Sequence, residues 1–165
     1  MPICGISAKW SAVNGASEHP CLREQVRRRI AQANAAAPDS VGAMLDFRVL
    51  ENEPGDGDIL MTCVTMPWMR NYSGTLHGGL CATILDQAMG FVSYCLKAGE
   101  GAAPAVQLEV DYHRPLHPGE AVIVRVHVVS VTRSLMKLTA EASHAACPEK
   151  LCLSGSGIYF FKPNN

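Results

Sequence analysis

Asp86 is the only Asp, Glu, Lys or Arg between Arg70 and Lys97. A carboxylate in so apolar a run is costly to bury unless it is paired, hydrogen-bonded or put to use. A functional use is one reading of it. A structural use fits the same residue, with the carboxylate accepting hydrogen bonds from a neighbouring strand or lying in a subunit seam. A second feature opens the same run, at Gly74-Thr75-Leu76-His77-Gly78-Gly79. Two glycines at a helix start leave backbone N–H groups unshielded. Those donors, with the positive end of the helix dipole, suit a developing oxyanion. The plainer reading of the glycine pair is close packing of backbone against a sheet.

Gly78 and Asp86 lie eight residues apart, which is about 12 Å along a helix rising 1.5 Å per residue. A catalytic carboxylate must come within about 3 Å of the reacting carbonyl. One chain therefore does not easily present both groups to one atom. If both act, Asp86 of one subunit meets Gly78 of another. This predicts an obligate dimer with two equivalent sites at its seam.

The elements that hold these groups follow from periodicity. Residues 77–97 form one long helix in which Leu80, Ile84, Leu85, Ala88, Met89, Val92 and Leu96 cover more than one stripe. A helix apolar nearly all round is buried, and Gly99 and Gly101 close it. Residues 18–36 read as an amphipathic helix that starts near Glu18 and stops before Pro38, with Leu22, Val26, Ile30 and Ala33 on one face. Its Arg23, Arg27, Arg28 and Arg29 form a wet face or a phosphate patch. Residues 43–52 and 59–66 read as two strands of a hairpin across the turn EPGDGD at 53–58, and 67–75 as a loop.

Four more strands, over 105–113, 121–132, 135–145 and 151–161, are expected to form an antiparallel meander, with RPLHPGE at 114–120 as a turn. The economical way to bury the apolar helix is to wrap a curved antiparallel sheet around it. The expected class is α+β, the hotdog fold: one long central helix inside the sheet, with an extra N-terminal helix. Residues 1–17 read as a lead-in and 18–165 as a single domain.

The composition excludes some functions. The chain has 165 residues, 48% hydrophobic and 18% charged, with a formal net charge of −1. That is globular composition, and the charge balance argues against a broad nucleic-acid surface. None of the seven cysteines forms a Cys-x-x-Cys pair, so a zinc ribbon has little support. The first residues make a poor signal peptide, and polar residues interrupt the long apolar run. A reduced, soluble, cytoplasmic protein is expected.

The run Asn71-Tyr72-Ser73-Gly74-Thr75-Leu76-His77-Gly78-Gly79-Leu80-Cys81-Ala82-Thr83-Ile84-Leu85-Asp86 closely resembles the signature of hotdog-fold acyl-CoA thioesterases, in the branch of the phenylacetate-pathway (PaaI-type) and thioesterase-superfamily-member proteins. Val110-Asp111-Tyr112-His113-Arg114-Pro115-Leu116 and Val131-Thr132-Arg133-Ser134-Leu135 resemble later segments of the same family. The resemblance covers roughly residues 40–162. It implies hydrolysis of an aromatic or medium-chain acyl-CoA thioester by a homodimer or a tetramer of dimers, with coenzyme A as the leaving group and no cofactor or metal. By this resemblance the Gly78 N–H polarises the thioester carbonyl. Asp86 from the partner subunit acts as nucleophile or as general base. Asn71 helps place the thioester or the attacking water, and His77 shapes the turn. Gly79, Gln107, Arg114, Arg133 and Ser134 are the expected substrate-binding positions, with Arg114 and Arg133 set against the CoA phosphates.

One position departs from the family. Some relatives carry Ser or Thr where this chain has Ala105. Gln107, two residues on and so expected on the same strand face, is a candidate substitute. The departure keeps a second function in view, a non-catalytic acyl-CoA-binding module. A hotdog hydratase or dehydratase is a third, but those enzymes pair a His with an acid at closer spacing than His77 and Asp86. His113, His117, His127 and His144 lack ligand spacing. Cys81 and Cys95 read as small core residues rather than nucleophiles. Phe91 and Tyr94 read as core or as acyl-pocket lining.

Overall fold

The computed structural model describes residues 21–51, 58–96 and 103–161. The 1–17 lead-in, the helix start near Glu18, nearly all of the 53–58 turn, and Gly99 and Gly101 fall outside these residues. The first helix, α1, runs Leu22–Ala36 and buries Val26 and Ile30. Its arginines are spent inside the molecule. Arg27 and Arg28 pair with Glu24, Arg23 and Arg27 pair with Glu51, and the Arg29 guanidinium lies 3.8 Å from the centre of the Tyr94 ring. Hydrogen bonds from Arg27 and then Arg28 hold the Glu24 carboxyl below its ordinary range. The wet-face reading of this helix therefore stands over the phosphate patch.

The strand expected over 43–52 is a correction. Its first part is instead a single helical turn, α2 (Val41–Met44), and the strand β1 is only Arg48–Val49. Ser40 causes this: its hydroxyl accepts the Ala43 N–H at 3.3 Å and caps the turn. Asp46 then reverses the chain at φ 43°, a conformation Asp tolerates better than most residues. The hairpin partner is as expected, because β1 pairs antiparallel with β2 (Ile59–Val64).

The long helix, α3, spans Gly78–Leu96. Four long strands follow it: β3 (Ala105–Tyr112), β4 (Ala121–Val131), β5 (Leu135–His144) and β6 (Leu151–Phe160). The sheet order is β1-β2-β4-β5-β6-β3. So β4, β5 and β6 form the expected meander, but β3 does not pair with β4. One side of β4 is taken by β2 and the other by β5. β3 lies instead along the free side of β6 and forms an edge of the sheet.

Alternate residues of β4 and β5 face α3: Val122, Val124, Val126, Met136, Leu138, Ala140 and Ala142 are all buried. They meet Ile84, Leu85, Ala88, Met89 and Val92 of the helix in one core. By length and composition α3 is apolar enough to cross a membrane; here the sheet covers that apolar surface. On β6, Gly155 and Gly157 let strand and helix approach. A Cβ at Gly155 would lie 2.6 Å from the Glu109 carbonyl oxygen and 3.0 Å from Leu85.

Candidate active site

The segment before α3 is tied down along its length. Leu76 N–H donates to the Leu116 carbonyl at 2.8 Å, and His77 N–H to the Met69 carbonyl at 2.9 Å. Between these anchors Asn71 organises the loop. Its Oδ1 accepts the Ser73 and Thr75 N–H groups, and its Nδ2 donates to Thr75 Oγ1 at 2.9 Å. Gly74 completes the turn at φ +85°, where a side chain would be strained. The second Nδ2 hydrogen of Asn71 has no acceptor among the described residues.

His77 caps the helix. Its carbonyl accepts the first helical N–H groups, from Leu80 and Cys81, and its ring Nδ1 accepts the Gly79 N–H at 3.1 Å. An accepting Nδ1 carries no hydrogen, so neutral His77 bears its proton on Nε2. With Gly79 engaged, the amide at the tip that lacks an acceptor among the described residues is Gly78. Its carbonyl is held by the Tyr112 hydroxyl, which donates at 2.9 Å from the edge strand. Gly78 thus offers a donor at the positive end of a 19-residue helix.

Asp86 lies two turns further along α3 and is half-buried. The Tyr159 hydroxyl donates to its Oδ1 at 2.9 Å. Oδ2 has no hydrogen-bond partner among the described residues. Burial, and then the Asp86 charge and hydrogen bond, push the Tyr159 phenol far above its ordinary range, so it stays a donor. Gly78 and Asp86 occupy one straight element, which keeps them about 12 Å apart within a chain.

The remaining candidates divide. Arg114 Nη1 donates to the Leu151 carbonyl at 2.7 Å. Arg133 is exposed in the bend between β4 and β5, with no ion pair among the described residues. Neighbouring Ser134 accepts the Phe161 N–H through its carbonyl. The same-face expectation for Ala105 and Gln107 fails. The register shifts between them, so Ala105 lies opposite Tyr159 and Gln107 opposite Ile158. Tyr159 and Ile158 are consecutive and point to opposite faces, and a bulge breaks the alternation. Gln107 turns outward and donates to Glu109 at 2.8 Å. Burial pushes the Cys81 and Cys95 thiols up to about 11, so neither supplies a thiolate near neutral pH.

Two partners of the site escape a sequence reading, Tyr159 and Tyr112. The pattern Gly155-x-Gly157-x-Tyr159 carries a signal for the first. Alternate positions on one strand face make a groove of two glycines that ends in a phenol.

The buried helix, the sheet wrapped on it and the capped glycine tip define a hotdog-fold protein. Residues 73–148 match the thioesterase superfamily family model. Acyl-coenzyme A thioesterase 13 of Homo sapiens is 29% identical over 76 residues, which is 46% of this chain and 54% of that protein. The chain thus spans about half the length of the curated relatives it matches. The structure of thioesterase superfamily member 2 from Mus musculus superposes with a TM-score of 0.68 at 17% identity, over 87% of this chain and all of that one. A variant of the phenylacetic acid degradation protein PaaI from Thermus thermophilus is 26% identical, with a TM-score of 0.58 over 72% of this chain and 95% of that one. Over residues 73–148 the chain is thus similar to the thioesterase superfamily.

Proposed function

We propose that the protein is a cytoplasmic acyl-CoA thioesterase whose active sites are shared between two subunits. The observation that carries this reading is the pair of groups on α3. One is an amide at the helix tip without an acceptor among the described residues; the other is a carboxylate with one oxygen held and one open, about 12 Å further on. The Gly78 N–H of one subunit receives the thioester oxygen. Asp86 of the other gives its electron pair to the carbonyl carbon, or takes a proton from the water that attacks it. In either case negative charge gathers on the carbonyl oxygen beside Gly78. The C–S bond breaks when that charge collapses, and the CoA sulfur leaves and is protonated; on the nucleophilic route water then cleaves the acyl–Asp86 anhydride, releasing the acid and restoring the carboxylate.

The edge strand supports the dimer. β3 has a strand partner on one side only. It exposes Val106 near its start and Tyr112 at its end, at 60% and 55% of their surface, and Tyr112 lies against the helix tip. An apolar edge of this kind is a template for pairing with another chain. Asn71 places the thioester or water through its remaining Nδ2 hydrogen, and Arg133 meets the CoA phosphates. The chemistry needs no metal or organic cofactor. The acyl group is aromatic or of medium chain length, in keeping with the PaaI likeness.

The test is thiol release from phenylacetyl-, benzoyl-, hexanoyl- and octanoyl-CoA, with Asp86→Ala as control. Steady release abolished by the substitution supports the reading. No release from folded protein, with CoA esters still bound, would instead favour the non-catalytic binding module that Ala105 keeps in view.

A further inference from the structure

Tyr159 is nearly fully buried, with 2% of its surface exposed, and its ring folds back over Gly157. A Cβ at Gly157 would lie 2.7 Å from the ring and 3.2 Å from the phenol oxygen. Only a residue without a side chain leaves this path open. The path ends on α3, where the hydroxyl lies 2.9 Å from Asp86 Oδ1 and 3.2 Å from the Asp86 carbonyl oxygen. A phenol has one hydrogen, and the shorter contact to the charged acceptor takes the larger share of it. The backbone oxygen alone could satisfy a buried hydroxyl, so the carboxylate contact does something more. It fixes one oxygen and removes the free rotation of the group about its last bond.

We infer that Tyr159 is a positioning residue: its phenol pins Oδ1 of Asp86, leaving Oδ2 as the reacting oxygen, and Gly157 is the gap through which it reaches. The inference deepens the proposed function and rests on Asp86 acting in it. No atom of Tyr159 meets substrate. It acts through the carboxylate, so its effect must vanish when that carboxylate is gone.

The experiment is a cycle of Tyr159→Phe and Asp86→Asn, read as thiol release from phenylacetyl-CoA and octanoyl-CoA. Tyr159→Phe should lower kcat roughly 10- to 100-fold, the range for a hydrogen bond to a charged group, with KM within about twofold of wild type. In the Asp86→Asn background the same change should move kcat by less than about twofold. A kcat kept in Tyr159→Phe, a rise in KM alone, or an equal loss in both backgrounds would overturn the inference. A second cycle, Tyr159→Phe with Asp86→Ala in urea unfolding, needs no turnover. Coupling of about fivefold or more in the unfolding constant supports the pinning contact, and simple additivity overturns it. If wild-type protein releases no thiol while this coupling is present, the thioesterase reading fails and the Tyr159–Asp86 contact stands.

Discussion

Gly78→Pro isolates the amide at the helix tip. Gly78 is the first residue of α3, a position where proline is favoured because the missing N–H would have no helical partner. Its φ is not among the positive ones, and no described residue accepts its N–H. The fold therefore loses no hydrogen bond. A side chain there would also find room, since a Cβ would lie 3.7 Å from the Tyr112 ring, an ordinary contact. Chemistry should lose its oxyanion donor, which costs about 3–4 kcal/mol of barrier, or roughly 100- to 1,000-fold in kcat. Gly78→Ala keeps the N–H and should stay within a few-fold of wild type.

Unfolding Gly78→Pro and Asp86→Ala chains together in urea and refolding them sharpens the test. Random pairing makes half the dimers mixed. Each mixed dimer rebuilds one intact site from the good glycine of one chain and the good carboxylate of the other. Activity should return to about a quarter of wild type. Sites built within single chains would give no return, because every chain carries a defect. Absence of complementation in correctly refolded dimers, or a Gly78→Pro enzyme as fast as Gly78→Ala, would refute the shared-site reasoning.

Gly155→Ala sets its methyl group 2.6 Å from a backbone oxygen, which cannot swing aside. Its urea midpoint should fall by the equivalent of about 1–3 kcal/mol. Val106→Lys puts charge on the exposed edge, and light scattering should then show monomers that release no thiol. Burial pushes the Cys63 thiol up to about 12, and those of Cys81 and Cys95 up to about 11, from 9.0. Unfolded thiols therefore ionise first as pH climbs. The stabilisation is whole below pH 9 and drains away between 9 and 12, and a series of urea melts across that range should show the midpoint falling.

Much of the architecture is legible in the residues because it rests on apolar periodicity. Leu80, Ile84, Leu85 and Val92 announce a buried helix, and the valines of β4 alternate as a half-buried strand must. The misses lie where pairing rather than pattern decides. Nothing local in residues 105–112 says that they will cross to β6, since that choice depends on which sides of β4 are already filled. One unpaired residue near Val106 turned Gln107 to the other face, and a bulge leaves no mark in composition. Ser40 overrode a strand pattern by capping a turn. In the site, Asp86 and Gly78 stood out because a charge and a glycine pair are rare in an apolar run. Tyr159 did not, because a tyrosine in a strand is ordinary until its hydroxyl is seen to reach across to the helix.

Tyr112 joins two things usually discussed apart. Its backbone belongs to the exposed border of the sheet, while its hydroxyl steadies the peptide at the helix tip. Whatever straightens or twists that border shifts the donor as well. On the shared-site reading proposed above, assembly and competence are one event, and turnover per subunit should fall as the protein is diluted below the dissociation constant of the dimer. On the same reading an isolated protomer would keep its fold and its carboxylate yet be inert, which would confine hydrolysis to places where the chain is abundant enough to meet itself.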